Sequence, residues 1–141
     1  MTLTAGFDYF DVPADVGVTA WGATFAEAAG ALARGVFNLI VPLTAVEPKE
    51  AREVAVEGND EAALLVNWIN ELLYLHDLER WLLARAEVGK CAPPELSARV
   101  VGEHFNPSRH PRGTLVKAAT YHDLSILRCP DGVTLRMVLD V

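Results

Sequence analysis

Two aspartates near opposite ends of the chain have the residue type that binds a hard metal ion. Asp15 ends a polar turn, and Asp140 stands next to the last residue, Val141. Because the last predicted strand runs to that residue, we expect the Val141 carboxylate to lie beside Asp140. If this end meets the first turn, three carboxylates converge, and their repulsion favours a bound cation. All-oxygen ligation is typical of Ca²⁺ or Mg²⁺. The alternative is ordinary turn chemistry at Asp15 and a solvated carboxylate at Asp140.

Histidines in the last third of the chain form a second candidate group. His104, His110 and the His122-Asp123 step would make a zinc-type site if they converged, although they lack the spacing of zinc motifs. The alternative is a set of loop histidines bonded to backbone groups. The Tyr121-His122-Asp123 step interrupts a predicted strand, so it is either a turn or a bulge that redirects side chains towards a site.

Motifs for self-contained catalysis are missing from the sequence. Gly89-Lys90 resembles the end of a P-loop, but Cys91 replaces the required Ser or Thr, and there is no GxGxxG. No serine stands in a GxSxG motif. Cys91 and Cys129 have neither CxxC nor paired metal spacing, so we expect no disulfide framework. The sequence therefore predicts a protein that acts by binding.

Periodic segments predict the elements that must position these residues. Strands are predicted at Gly6 to Phe10, Val16 to Gly22, Arg52 to Glu57, Leu82 to Val88, Leu96 to Glu103, Leu115 to Tyr121, Leu124 to Cys129 and Val133 to Val141. One helix begins at Thr24 with a capping box and ends before Pro42, and a second runs from Glu61 to about Leu78. Two helices within a run of strands predict an α+β two-layer sandwich on a mixed, mostly antiparallel sheet, in a single domain over residues 1–141.

Composition narrows the class of protein. The 141 residues are 51% hydrophobic and 22% charged, which indicates a folded domain, and the net charge is −7. Because phosphate contacts dominate nucleic-acid affinity, we expect no strong direct nucleic-acid binding. We recognise no signal peptide and no stretch long enough to span a bilayer, so we expect a cytoplasmic protein without a membrane partner.

Several short segments, in their order and spacing, resemble the archease family over essentially the whole chain. The segments are Ala14-Asp15-Val16-Gly17, Val46-Glu47-Pro48-Lys49-Glu50, Asn67-Trp68-Ile69-Asn70-Glu71-Leu72-Leu73, Gly102-Glu103 with Arg109-His110, Val116-Lys117-Ala118, Thr120-Tyr121-His122-Asp123-Leu124 and Val138-Leu139-Asp140-Val141. One difference stands out: Val12-Pro13 occupies the place where the family usually has His-Thr. A histidine that would support the Asp15 ligand is therefore absent.

The resemblance implies an accessory protein for an RtcB-type RNA ligase, which joins RNA ends in tRNA splicing and repair with GTP and a guanylylated histidine of its own. Such a protein would promote ligase guanylylation and repeated turnover without joining RNA itself. It implies Ca²⁺, or another divalent cation such as Mg²⁺, as cofactor. The implied site residues are Asp15, Asp140 and Val141 for the metal, and Lys117, His122, Asp123, Arg109 and His110 for function or partner contact.

Two other functions compete with this one. The chain would act as a chaperone or modulator if its partner were another tRNA-processing enzyme, such as a tRNA methyltransferase. A small metal-dependent hydrolase would instead use His104, His110, His122 and Asp123 together.

Overall fold

The computed structural model describes residues 2–141, which form eight strands and two long helices. The strands are β1 (Gly6–Val12), β2 (Asp15–Gly22), β3 (Glu50–Glu57), β4 (Trp81–Ala92), β5 (Glu95–His104), β6 (Ala118–Ala119), β7 (Ser125–Cys129) and β8 (Gly132–Asp140). The helices are α1 (Phe25–Ile40) and α2 (Glu61–Glu79), with a 3-10 turn at Leu43–Ala45. The predicted α+β class with two helices is confirmed.

The strands form two sheets where a single sheet was predicted. In the first sheet β8 is central, with β2 and then β1 on one side, and β6 and β7 in succession along the other. The second sheet has the order β3-β5-β4. All strand pairs in the described part of the chain are antiparallel, so the parallel component of the predicted mixed sheet is not found there.

Helix α1 begins at a capped turn and is buried on nearly every side. The Thr24 hydroxyl accepts a hydrogen bond from the Glu27 N–H at 3.1 Å, as the capping box predicts. The six consecutive residues from Ala28 to Ala33 are all buried, where a single apolar stripe was predicted. A helix that is apolar all round needs partners on more than one side. Helix α1 contacts β1, β2 and β8 of the first sheet and β4 of the second, so it joins both sheets in one core.

Helix α2 follows the prediction closely. The Asp60 carboxylate accepts from the Ala63 N–H at 2.7 Å and caps the N-terminus. At the other end the chain leaves the helix at Arg80, which has a left-handed φ of 59°. The Trp68 side chain is fully buried, and its indole N–H donates to the Ala29 carbonyl of α1 at 3.0 Å. The two helices therefore meet in the core.

Two asparagines one turn apart on α2 bind the edges of the two sheets. The Asn67 amide donates to the Glu57 carbonyl of edge strand β3 at 2.7 Å. The Asn70 carbonyl oxygen accepts from the Ala119 N–H of β6 at 2.8 Å. Free strand edges are sites of unwanted pairing, so α2 protects one point on each edge.

Strands β4 and β5 form one long hairpin where two shorter strands were predicted. Pro93-Pro94 makes its turn, with a cis peptide bond between the prolines, and does not interrupt the pairing of the flanking residues. The register shifts at Ala84, an extra residue on β4 that forms a bulge. Gly102 faces this bulge, and a Cβ there would lie 1.8 Å from the Leu82 carbonyl oxygen. The close approach of the two backbones explains the glycine.

The strand predicted from Leu115 to Tyr121 is reduced to Ala118–Ala119. The preceding residues have another task, because the N–H groups of Gly113 and Thr114 donate to the last carbonyls of α1 at 2.8 and 2.6 Å. These carbonyls have no partner within the helix. The segment therefore caps α1 before it reaches the first sheet.

The last hairpin is confirmed at its predicted position. Cys129 pairs with Gly132, which leaves Pro130-Asp131 as a two-residue turn between β7 and β8. Gly132 has a φ of 153°, and a Cβ there would lie 2.2 Å from the Gly22 carbonyl oxygen. Only a glycine fits at this crossing of β8 and β2.

Candidate functional site

Strands β2 and β8 bring Asp15 and Asp140 to the same end of the first sheet. Strand β2 pairs with β8 so that Val16 lies opposite Leu139. The pairing of β2 with β8 ends at this pair, and Asp15 and Asp140 are the next residue on each strand. Two carboxylates far apart in the sequence therefore lie at the same end of the neighbouring strands β2 and β8. We call this end, with Asp15 and Asp140, the carboxylate edge.

The surroundings of these carboxylates suit a hard divalent cation. Asp15 is half-buried and Asp140 is exposed. Within residues 2–141, neither forms an ion pair with a basic side chain that would neutralise it. Val12 pairs with Asp15 on β1 and offers no polar side chain there. The two carboxylates thus retain ligand capacity, without a histidine to orient them.

A metal centre here would need further ligands. Among the described residues, no three His, Cys, Asp or Glu side chains are grouped closely enough to hold a metal ion. Val141 directly follows Asp140 and is half-buried, so a carboxylate on Val141 would supply a third oxygen group. Because Ca²⁺ takes about 6–8 oxygen ligands, water would have to fill the remaining positions. The residues therefore fit an open, partly hydrated site.

Lys117 lies beside the same strand end. Its backbone N–H donates to the Asp140 carbonyl at 2.8 Å, and the next residue, Ala118, pairs with Asp140. The Lys117 side chain is exposed and has no ion-pair partner among the described residues. The main chain thus places Lys117 at the same strand end as Asp140, with its side chain in solvent.

His122 and Asp123 form a turn between β6 and β7. The Leu124 N–H donates to the Tyr121 carbonyl at 3.2 Å, and Asp123 has a φ of 51°, so the step is a turn and not a bulge within a strand. His122 Nε2 lies 3.2 Å from Asp123 Oδ2, with side-chain exposures of 68% and 75%. Such an exposed pair contributes little to stability. Within residues 2–141, His122 and Asp123 form no hydrogen bond or ion pair with Asp15 or Asp140.

Arg109 and His110 belong to a different place, around the buried carboxylate of Glu103. The Arg109 guanidinium contacts Glu103 Oε1, and His110 Nε2 lies 3.0 Å from Glu103 Oε2. The Glu47 N–H donates to the same carboxylate at 2.7 Å, and Lys49 Nζ lies 3.7 Å from it. We call these residues the Glu103 cluster. It ties the loop after β5 to the segment before β3.

The hydrogen bonds of His110 define its protonation. Its Nδ1 accepts from the Asn106 N–H at 2.8 Å, so the ring proton is on Nε2 and is donated to Glu103. The side chain is 0% exposed, and both nitrogens are in use. His104 instead lies 3.7 Å from Glu50 and from Glu79. The histidines of the hydrolase hypothesis therefore occupy separate places.

The pKa of Glu103 reflects a charge that the fold has to stabilise. Burial alone would raise this pKa, but the bonds from the Glu47 N–H, Arg109 and His110 outweigh burial and lower it from 4.5 to about 2. The carboxylate is therefore ionised at neutral pH although its side chain is only 6% exposed. A buried charge with a full set of partners is a structural anchor.

A charged group on the second sheet was not expected from the sequence. The Arg52 guanidinium stacks over Trp81 at 4.9 Å and is bonded to Glu79 at 2.8 Å and Glu50 at 2.9 Å. These hydrogen bonds, the Glu79 bond foremost, raise the pKa of Arg52, and the Arg52 bond lowers that of Glu79. The sequence contained one signal for this group: alternation along β3 places Arg52 on the same face as the buried residues Val54 and Val56.

The fold and the carboxylates of β2 and β8 define a class: a small α+β domain whose second and last strands pair and carry acidic residues at the same end. The comparisons give the family. The model of the Archease protein family (MTH1598/TM1083) matches residues 7–141. The chain belongs to this family.

Relatives with the name "Protein archease" match most of the chain. The protein of Thermococcus kodakarensis is 42% identical over 130 residues, covering 89% of this chain and 91% of its own. That of Sulfurisphaera tokodaii is 37% identical over 136 residues, covering 96% and 98%. The solution structure of Methanobacterium thermoautotrophicum protein 1598 matches with a TM-score of 0.80 and 31% identity, over 96% of this chain and 99% of that one. The fold described above is thus the family's fold.

Among residues 2–141, neither helix is long and apolar enough to cross a membrane.

Proposed function

We propose that this protein is a non-catalytic activator of an RtcB-type RNA ligase in tRNA splicing and RNA repair. It would act in the cytoplasm by promoting guanylylation of the ligase and its repeated turnover. Membership of the archease family over residues 7–141 is the observation that carries this proposal. The shared edge of β2 and β8, with Asp15, Asp140 and Lys117, is the part of the molecule that we assign to it.

The residues at this edge are suited to positioning and to electrostatics. Asp15 and Asp140 lie at the ends of two paired strands, and the neighbouring pair of Val16 with Leu139 supports their proximity. The adjacent Lys117 carries an exposed ammonium group, which would pair with a phosphate brought by the partner. Pre-set charges of this kind aid nucleotidyl transfer without taking part in bond making.

We further propose that Asp15, Asp140 and the Val141 carboxylate bind a divalent cation, Ca²⁺ or alternatively Mg²⁺. The cation would supply positive charge at the docking edge. The support is the position of the two aspartates at the paired ends of β2 and β8, without an ion pair to a basic side chain in residues 2–141. Because Val12 stands in place of a histidine, we expect modest affinity. Isothermal titration with Ca²⁺ and with Mg²⁺ tests this directly: Asp140→Asn and a chain extended by two residues beyond Val141 should both lose the binding heat.

Activation is tested by measuring guanylylation of a purified RtcB-type ligase with GTP. The unmodified protein should raise the rate and allow multiple turnovers, whereas Asp140→Asn and Lys117→Ala should each lose most of the stimulation. Asp77→Asn, an exposed change on α2, is the control and should retain it. Full stimulation by Asp140→Asn would remove the carboxylate edge from the mechanism while leaving the activator function in place.

Affinity purification from cells separates the two partner classes. Recovery of the ligase supports the proposal. Recovery of a tRNA methyltransferase without the ligase, together with no effect on guanylylation, would replace it by the modulator function.

A further inference from the structure

A groove separates the free edge of β3 from α2. It has a volume of about 380 Å³ and is lined by the consecutive strand residues from Arg52 to Ala55 and by one stripe of α2 that includes Glu71, Tyr74 and Leu78. We call it the β3–α2 groove. Strand β3 is the outer strand of the second sheet, so this side of it has no strand neighbour.

The backbone of β3 presents unused hydrogen-bonding groups to the groove. The Gly58 N–H donates to Pro94, towards β5, whereas the Glu57 carbonyl accepts from Asn67 on α2. Direction alternates along an antiparallel strand, so the N–H and C=O groups of Ala55 and Glu53 point the same way as those of Glu57. Asn67 occupies only the Glu57 end. Among the described residues, nothing bonds to these outward groups of Glu53 and Ala55, so two residues of β3 remain open to an added strand.

The α2 side of the groove offers apolar contact. Tyr74 is 59% exposed and Leu78 is 65% exposed, and the two lie one helical turn apart. When an extended peptide adds to a strand edge, every second side chain of the peptide points to the same face. Exposed apolar side chains beside the edge, such as Tyr74 and Leu78, can form the contact surface for these peptide side chains.

The charge at the groove selects its occupant. Arg52 is neutralised by Glu79 and Glu50. Glu71 and Glu53 have no ion pair within the described residues, which leaves the groove acidic. A second copy of this chain would bring one acidic edge against another, and like charges across strands are destabilising. A basic segment has the complementary charge.

We propose that the β3–α2 groove binds an extended basic segment of a partner protein, which adds to β3 as an extra strand. Its backbone would bond to Glu53 and Ala55, its apolar side chains would cover Tyr74 and Leu78, and its Lys or Arg side chains would pair with Glu71. This surface lies on the second sheet and requires neither the cation nor the carboxylate edge of the first.

The probe is an eight-residue peptide of alternating lysine and valine, blocked at both ends, added to the whole protein. Nuclear magnetic resonance gives the affinity and the exchange rate of each amide. Saturation should slow exchange of the Glu53 and Ala55 amides about tenfold or more, because they gain hydrogen bonds. Two peptide controls should bind at least tenfold more weakly: one with N-methyl groups on alternate residues, and one with glutamate in place of lysine.

Protein variants test the same assignment. Ala55→Pro removes an outward N–H without breaking the β3–β5 ladder, and should weaken binding at least tenfold. Glu71→Lys should weaken it as well, whereas Asp77→Lys, the same charge change elsewhere on exposed α2, should have little effect. Should Ala55→Pro fail to fold, the Glu71 and Asp77 pair decides alone.

Three results would overturn the proposal: no binding of the lysine–valine peptide, binding that Glu71→Lys and Asp77→Lys weaken equally, or protection of amides outside β3. Concentration-dependent dimerisation that Ala55→Pro abolishes would assign the edge to a second copy instead. None of these outcomes bears on ligase activation, which is measured separately with the Asp140 and Lys117 variants.

Discussion

Replacing Glu103 by glutamine should lower the free energy of unfolding by about 3 kcal/mol at pH 7. The magnitude follows from the pKa of Glu103, which the fold lowers from 4.5 to about 2, since each pKa unit corresponds to about 1.36 kcal/mol. The carboxylate accepts from Glu47, Arg109 and His110, and a neutral amide cannot hold all three. Loss of one partner of a buried charged group has a similar cost of about 3–5 kcal/mol.

Urea unfolding at several pH values checks both magnitude and origin. Because the folded-state pKa is depressed, the stabilisation is complete above pH 4.5 and disappears as pH falls towards 2. The difference between the natural protein and Glu103→Gln should therefore shrink from about 3 kcal/mol at pH 7 to about 1 kcal/mol at pH 3. Glu53→Gln, an exposed change on β3, is the control and should alter stability by less than about 0.5 kcal/mol.

A constant difference between pH 7 and pH 3 would refute this reasoning. It would mean that Glu103→Gln acts through packing, not through the ionised carboxylate. A difference below about 1 kcal/mol at pH 7 would show that the cluster is not an anchor.

Three further variants address particular contacts, each by urea unfolding. Gly102→Ala should destabilise the protein by about 2 kcal/mol or more, because the added Cβ would lie 1.8 Å from a carbonyl oxygen of β4. Gly89→Ala is the control, since the nearest atom to its added Cβ is 3.8 Å away, and it should not destabilise. Equal effects of the two changes would contradict the close approach at Gly102. Arg80→Gly should stabilise by about 0.5–1 kcal/mol, because its φ of 59° suits glycine, and a loss would show that the Arg80 side chain matters more. Asn70→Ala should cost about 1 kcal/mol and speed hydrogen exchange at the Ala119 amide, and unchanged exchange would count against that bond.

Local sequence signals predicted most elements of the fold. Thr24 and Asp60 mark both helix starts, and each makes the capping bond that its residue type indicates. Pattern could not assign strands to sheets, because alternation identifies a strand's faces but not its neighbours. The segment from Leu115 to Tyr121 was predicted as a strand from its apolar residues. Its sequence could not show that the residues before it, Gly113 and Thr114, bond to the last carbonyls of α1.

The candidate site was predictable only in part. Asp15 and Asp140 were singled out by residue type and by the family resemblance, and the β2–β8 pairing brings both to the same end of the sheet. Cation binding there and the role of Lys117 stay predictions. The Glu103 cluster and the β3–α2 groove depend on contacts between elements distant in sequence, such as Glu47 with Glu103, which no local pattern contains.

The central position of β8 has a consequence for synthesis on the ribosome. Of the described strands, β8 is translated last, yet it pairs with β2, β6 and β7 and completes the first sheet. Until it leaves the exit tunnel, β2 presents an unpaired inner edge, and α1 lacks one of the strands that it contacts. The first sheet therefore closes only after β8 has left the ribosome, and the nascent chain exposes an aggregation-prone edge until then.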